Sequence, residues 1–344
     1  MKQVPTEVPQ GAAGISGVHG GEDVKATTLI CHRLPGLSLD EIEAKVGSAV
    51  LMTDCDHRPE SIRSQAQRAH AQAIVCILRD RIDERVLSTS GLRIVANVAV
   101  GFDNIDTAAA RAHGVLASNT PEVLTDSTAD LTFALMLAVA RRLTEGDALV
   151  RSGSFRGWEL DLLLGRDVHG AQLGVVGMGR IGQALAKRAI GFDMRVCYHQ
   201  RHRLPAALEA SLALNWCSLE ELLSQSDFIA LMVPLSETSR HMISRRQLAL
   251  VKPGAILVNT SRGPVVDETA LIEALASGHL GGAGLDVYER EPLVSAALLG
   301  MANVVLLPHL GSATWATRRA MALVALDNVA AALSGRRPPN LVGA

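Results

Sequence analysis

The chain has 344 residues, 48% hydrophobic and 20% charged, with 33 Lys and Arg set against 35 Asp and Glu. That length suits about two domains, each with its own core. The near balance of charge provides no field that would draw the whole protein to nucleic acid or a membrane surface, which leaves small molecules and further copies of the chain as partners.

Residues 1–26 are rich in Gly, Pro and Val with little periodicity and lack the order of a signal peptide, so they read as a mobile tail. Short apolar runs then alternate with amphipathic stretches. Strands are expected at 28–31, 49–53, 73–78, 92–97 and 115–118, and helices at 39–46 and 60–70. This rhythm belongs to a parallel sheet with helices on both faces. It stops at residues 119–121, where Pro121 disfavours helix in the residue before it and suits the first turn of the long helix that follows. The apolar part of that helix, 129–140, is interrupted by Asp130 and Thr132 and is too short to span a bilayer. Further strands are expected at 173–176, 194–199, 228–233, 255–259, 282–287 and 304–307, and a last helix at 314–333 crosses back to the first sheet. The expected architecture is therefore α/β with two doubly wound parallel-sheet domains. One comprises 27–121 with 313–344 and the other 122–312. Cys31, Cys55, Cys76, Cys197 and Cys217 are odd in number, dispersed, and mostly inside apolar strands. They read as reduced core residues of a cytoplasmic protein, and no metal site is expected.

The strand at 173–176 runs into Gly177, Gly179 and Gly182 and then into helix at 183–190. This is a dinucleotide-binding turn. Gly177 makes the tight bend, Gly179 lets backbone approach a pyrophosphate, and Gly182 permits close helix–strand packing, with the helix N-terminus facing the phosphates. About 23 residues past Gly177, where an NAD site places a carboxylate on the adenosine ribose, stands Gln200, followed by Arg201 and Arg203. NADP(H) is the favoured cofactor and NAD(H) remains possible. The two arginines are read as a clamp for a 2′-phosphate.

In doubly wound sheets the ligand lies beyond the carboxyl ends of the strands. Three such ends carry polar groups here: Arg262 after 255–259, Glu291 after 282–287, and His309 after 304–307. Singly, they read as a surface arginine, a loop charge and a structural histidine. Together at one sheet edge they can reduce a 2-oxo acid. Arg262 would hold the carboxylate with two parallel hydrogen bonds and polarise the carbonyl, His309 would supply the proton, and Glu291 would orient the imidazole.

Six ordered blocks extend this reading over 27–342: residues 99–106, 119–130, the glycine turn, 260–263, 285–292 and 308–313. With them the chain resembles the D-isomer-specific 2-hydroxyacid dehydrogenases, most closely the glyoxylate/hydroxypyruvate reductase branch. The resemblance implies a Rossmann cofactor domain, a flavodoxin-like substrate domain, a cleft between them, and a homodimer joined through the cofactor domain. It assigns catalysis to Arg262, Glu291 and His309 and gives the substrate carboxylate the backbone amides of Val100 and Gly101. It places Thr128, Arg180, Ile181, Val233, Pro234, Thr260, Asp286 and Gly311 around the cofactor, with Asp286 on the nicotinamide carboxamide. Trp158 and Trp315 read as packing residues, Trp315 close enough to His309 to shape the pocket.

Two other readings keep the fold. A dehydrogenase-like corepressor would sense NAD(H) and bind proteins, but the chain lacks long partner-binding extensions. A change of substrate, to 2-ketogluconate, phosphite, 3-phosphoglycerate or formate, is the other. Formate-oxidising relatives carry Gln where Glu291 stands, phosphite-oxidising ones have lysine near Val100, and 2-ketogluconate reduction overlaps with glyoxylate reduction.

Overall fold

Twelve strands among the described residues, all paired in parallel, account for the alternating apolar runs. The computed structural model describes residues 26–52 and 56–343, so the tail at 1–25, the end of the second strand at Thr53, Cys55 and Ala344 lie outside the described residues. Strands β1 (Thr27–Ile30), β2 (Ser48–Leu51), β3 (Ala71–Cys76), β4 (Ile94–Asn97) and β5 (Leu116–Ser118) form one sheet in the order β2-β1-β3-β4-β5. Strands β6 (Gln172–Val176), β7 (Arg195–His199), β8 (Leu214–Trp216), β9 (Phe228–Leu231), β10 (Ile256–Asn259), β11 (Gly282–Leu285) and β12 (Val304–Leu306) form the second, in the order β12-β11-β10-β9-β6-β7-β8. The first order is flavodoxin-like and the second is that of a dinucleotide-binding sheet extended by one strand.

Each sheet is covered on both faces, which explains why its strands are almost uninterruptedly apolar. Strand periodicity divides the first sheet cleanly. Ala73, Val75, Ile94 and Ala96 point into one cluster, while Ile74, Cys76 and Val95 point into the other. The last helix, Trp315–Leu333, fills the first of these faces with Met321, Ala322, Ala325, Leu326 and Val329. Thr314 caps its start by accepting from Thr317 N–H at 3.1 Å, and Arg93 closes its end by donating to the carbonyls of Ala332 and Leu333. Fully buried Asn328 ties the same helix to the crossing segment through Asn119 O at 3.2 Å and Asn340 N at 3.0 Å. Helix Thr125–Ala140 packs instead on β10, β11 and helix Arg180–Ile190, where Ala129, Phe133 and Met136 join the core of the second sheet.

Several local expectations need correction. Pro121 does not open the long helix: that helix starts at Thr125, because Glu122 adopts a left-handed φ of 72° that no helical turn accommodates. The helix after the glycine turn begins at Arg180, directly from Gly179, and not at residue 183. Strand β8 and helix Leu143–Arg151 were not expected; the strand is three residues long, largely exposed and too short to show a period, and the helix is amphipathic but buries no residue in the chain. Cys31, Cys76 and Cys197 are buried and Cys217 is partly so.

Leu326 is fully buried between the last helix and the first sheet. Leu326→Ala should therefore destabilise the protein by about 2–5 kcal/mol, read as a lowered urea midpoint at unchanged m-value.

Candidate active site

The glycine turn has the geometry its spacing implies. Gly177 sits at φ 98°, and a Cβ there would meet Met232 O at 2.8 Å and Val233 Cγ1 at 2.9 Å. A Cβ on Gly182 would overlap Gly177 O, so helix and strand approach at backbone distance. Gly179 is different: it caps helix Arg180–Ile190, and a Cβ would meet nothing within 4 Å. Two glycines are thus demanded by packing, and the third borders open space at a helix N-terminus, where a pyrophosphate fits. Ile181 packs between core clusters of the two sheets, and Arg180 pairs with Glu122 at 3.1 Å across the entrance.

Arg262 leaves β10 through an Asn259 turn. Asn259 Oδ1 accepts from Ser261 N–H and Oγ–H at 3.0 and 2.8 Å, and its Nδ2 donates to Arg262 O at 3.0 Å. The guanidinium reaches across to the loop after β4, where Nε donates to Asp103 Oδ1 at 3.0 Å. It lies so close to Gly101 that a Cβ there would overlap Nη2. In that same loop the N–H groups of Val100 and Gly101 have no hydrogen-bond partner among the described residues, whereas the two carbonyls accept from Asn119 Nδ2 at 2.8 Å and Asn97 Nδ2 at 2.7 Å. A guanidinium and two unpaired amides therefore share one spot between the sheets, a donor set suited to a carboxylate.

The other two strand ends are held together by Asp286. Its side chain is fully buried beyond β11, and its oxygens accept from Leu310 N at 2.6 Å and Gly311 N at 2.8 Å, while its carbonyl accepts from His309 N at 2.9 Å. Burial pushes the Asp286 carboxyl above its usual value, against the Leu310 amide, the His309 charge and the Gly311 amide. His309 occupies a left-handed φ of 58°, a conformation that the three bonds to Asp286 maintain. Its Nδ1 meets Glu291 Oε2 at 3.0 Å, and Glu291 Oε1 accepts from Tyr288 N at 3.0 Å. Burial raises the Glu291 carboxyl, but the His309 hydrogen bond and charge, the Tyr288 amide and the Arg262 charge outweigh it, and the net shift is downward. The Nε2 of His309 has no partner among the described residues and is free for a substrate oxygen. Burial also pulls the Arg318 guanidinium below its usual value, with the Asp286 charge acting in the opposite direction.

Thr128 and Thr260 are buried beside these loops. Thr132 Oγ bridges to Thr260 Oγ at 2.7 Å, and Thr128 Cγ2 stands 3.4 Å from where a Gly311 Cβ would be. Val233 is partly buried after β9, and the carbonyl of exposed Pro234 accepts from Ser239 Oγ at 2.7 Å. At the end of β7, Gln200 Oε1 accepts from Met178 N at 3.1 Å, tying that strand end to the glycine turn. Arg201 is exposed. Arg203 is not free as expected of a clamp residue: its Nε and Nη2 donate to Glu209 at 2.9 and 2.8 Å, and Tyr198 Oη donates to the same carboxylate at 2.5 Å. Trp158 and Trp315 are 82% and 80% exposed, so neither packs in the core of the chain.

The comparisons with known proteins agree with this geometry. Residues 133–311 match the family model for the NAD-binding domain of D-isomer specific 2-hydroxyacid dehydrogenases. The chain is 46% identical over 324 residues to a glyoxylate reductase of Thermococcus litoralis, covering 93% of this chain and 97% of that protein. It belongs to the D-isomer specific 2-hydroxyacid dehydrogenase family. Among solved structures, a protein from Thermus thermophilus is 44% identical with a TM-score of 0.86, covering 92% of this chain and 99% of the other. An NADPH-dependent glyoxylate/hydroxypyruvate reductase from Sinorhizobium meliloti, in complex with NADP and malonate, is 29% identical with a TM-score of 0.82, covering 92% and 97%.

Within this dehydrogenase the strand ends set Arg262 against Gly101, join Asp286, Glu291 and His309 into one cluster, and let the Arg262 charge act on Glu291. Two contributions are hidden in the sequence. Asp103 stands inside a motif block with nothing to single it out as the partner of Arg262. Asp286 reads as a cofactor ligand, although its carboxylate is engaged by the His309 loop. The expected strand 282–287 ran through Asp286, whereas β11 ends at Leu285, so only the resemblance singled it out. Gly101→Ala should displace the Arg262 guanidinium and lower kcat/KM for a 2-oxo acid about a hundredfold while leaving the melting temperature nearly unchanged. Steady-state kinetics with a thermal melt will check it.

Proposed function

We propose that this dehydrogenase reduces small 2-oxo acids, glyoxylate to glycolate and hydroxypyruvate to D-glycerate, preferring NADP(H) and accepting NAD(H). The observation that carries the reading is the meeting of Arg262 with two unpaired amides on one side and the Glu291–His309 pair on the other. Its relatives named glyoxylate reductase support the substrate class. The cofactor unit is residues 122–312, and residues 27–121 with 313–344 form the wall that carries Val100 and Gly101.

The open space before Gly179 and the helix behind it suit the pyrophosphate, with Thr128, Arg180, Ile181, Val233, Pro234, Thr260 and Gly311 lining the groove. The bound nicotinamide supplies the hydride. Arg262 and the Val100 and Gly101 amides bind the substrate carboxylate and fix the carbonyl against the hydride donor, and the guanidinium draws electron density toward the carbonyl oxygen. His309 delivers its Nε2 proton to that oxygen as it becomes an alkoxide, and Glu291, held as carboxylate by its contacts, fixes the imidazole through Nδ1 and stabilises the imidazolium. In the reverse direction the same nitrogen takes the proton back. Asp286, besides holding the His309 loop, offers its remaining acceptor capacity to the nicotinamide carboxamide.

For cofactor choice, Gln200 brings no charge that would repel a 2′-phosphate. Arg201 is the solvent-facing partner, and Arg203 contributes Nη1 from a guanidinium already anchored by Glu209. Exposed Leu143, Val150, Phe155, Trp158, Leu160 and Leu164, all within 143–164, support assembly as a homodimer through the cofactor unit. No helix among the described residues is long and apolar enough to cross a membrane, and the unbridged thiols of Cys197 and Cys217 suit a reducing cytoplasm.

His309→Ala should lower kcat by roughly 10²–10⁴ while NADPH still binds, measured by stopped-flow and by nucleotide fluorescence; an unchanged kcat would remove the assignment. Glu291→Gln should lower kcat by about tenfold or more with NADPH binding unchanged, because the amide no longer holds the His309 ring through Nδ1 as the carboxylate does; an unchanged kcat contradicts the role. Arg201→Ala should cut the NADPH-over-NADH preference in kcat/KM by about ten- to a hundredfold. Arg203→Ala should do less to that preference and lower stability, because it leaves buried Glu209 with Tyr198 Oη but without its cationic partner. Equal changes with both cofactors would remove the phosphate contact.

A further inference from the structure

We propose that His32, His57 and Asp80 form a binding site for one divalent transition-metal ion, zinc being the first to test, at the carboxyl edge of the first sheet. The three residues follow three neighbouring strands: His32 after β1, His57 after β2 and Asp80 after β3. One ligand atom from each lies within 4.8 Å of the others. His32 Nε2 stands 2.9 and 3.1 Å from the two Asp80 oxygens, and His57 Nδ1 stands 2.8 Å from Oδ1. Around a zinc ion bound at about 2.0–2.2 Å, tetrahedral donors stand roughly 3.4 Å apart, so the two His–Asp80 separations need to open by about half an ångström.

The surroundings match a metal site as well. Asp80 is fully buried, and its Oδ2 is held by Ile77 N–H at 2.8 Å, the kind of outer bond that orients a ligating carboxylate. The two imidazoles stack with centroids 4.9 Å apart and retain 23% and 22% side-chain exposure, which leaves a path for an ion and for a water as fourth ligand. Two imidazole nitrogens and one carboxylate oxygen suit zinc, nickel and copper better than magnesium or calcium. Without an ion both ring nitrogens must donate N–H to the acceptor-only carboxylate. On binding, each neutral ring shifts its proton to the other nitrogen, His32 to Nδ1 and His57 to Nε2, and presents a lone pair.

The site would act on the substrate loop through a short relay. Asn104 Nδ2 donates to Asp80 O at 3.0 Å, Asn97 Nδ2 donates to Asn104 Oδ1 at 3.0 Å, and the same Asn97 group donates to Gly101 O at 2.7 Å. An ion that fixes Asp80 therefore braces the segment beside Arg262 without touching the Glu291–His309 pair.

Equilibrium dialysis of the full-length protein against zinc, with metal quantified by mass spectrometry, tests this. The expected result is one ion per chain in the wild type and in His309→Ala, and none in His32→Gln or His57→Gln. Cobalt added to the wild type should give a visible band of a nitrogen- and oxygen-bound ion without thiolate charge transfer, a readout that depends on no variant folding. Zinc should also raise the thermal midpoint of the wild type and leave that of His57→Gln unmoved. Absence of bound ion in the wild type, retention in both glutamine variants, loss with His309→Ala, or a thiolate band with cobalt would each overturn the assignment; the first leaves the trio a hydrogen-bonded cluster only.

Discussion

Contact between a guanidinium and a residue with no side chain governs the layout of the cleft. Arg262 comes from the end of β10 and Gly101 from the loop after β4, so this contact joins the two sheets at the point where substrate would lie. Any Cβ at position 101 would occupy the space of Nη2. The Asp103 carboxylate then fixes the direction of approach through Nε. Parallel sheets with both faces covered can expose chemistry only at their edges. The ends of β10 and β4 meet here through Arg262, Gly101 and Asp103, and helix Trp315–Leu333 returns to cover the first sheet after β12 has completed the second.

The histidine side of the cleft rests on Asp286. A buried carboxylate is costly unless its hydrogen bonds are supplied, and this one obtains them from the loop whose geometry the chemistry needs. Its raised pKa means that the folded state favours the protonated acid, so ionisation at neutral pH withdraws stability that is present at acid pH. That loss is tolerated where the left-handed His309 must be held. Glu291 has the opposite sign: its lowered pKa gives stability that is complete above the ordinary carboxylate range and lost as pH falls through the depressed value. Two acids beyond the same strand end are thus tuned in opposite directions by their partners.

Much of this was legible because the informative residues are local in sequence. The spacing of Gly177, Gly179 and Gly182 reports a backbone path directly, and the chemistry-bearing residues fall just past apolar runs whose ends are easy to place. The parts that were not legible depend on partners distant in the chain. Asp103 and Arg262 are 159 residues apart, and nothing near either one announces the pair. Arg203 looked like a free phosphate ligand because Glu209, six residues on, gives no sign in sequence that helix Ala206–Ser211 will turn it back. The cluster of His32, His57 and Asp80 has no ligand spacing at all, since parallel topology gathers it from three separate strand ends. Strand β8 escaped because three residues are too few to show a period, while helix Leu143–Arg151 is amphipathic but has none of its residues buried in the chain.

The measurement that bears most directly on the central claim is the initial rate of the wild-type protein with glyoxylate and with hydroxypyruvate, each with NADPH and NADH side by side. The account predicts turnover of both acids, faster with NADPH. Cofactor binding without turnover of either acid would contradict it, because a cleft assembled around Arg262 and the Glu291–His309 pair would then serve some other purpose.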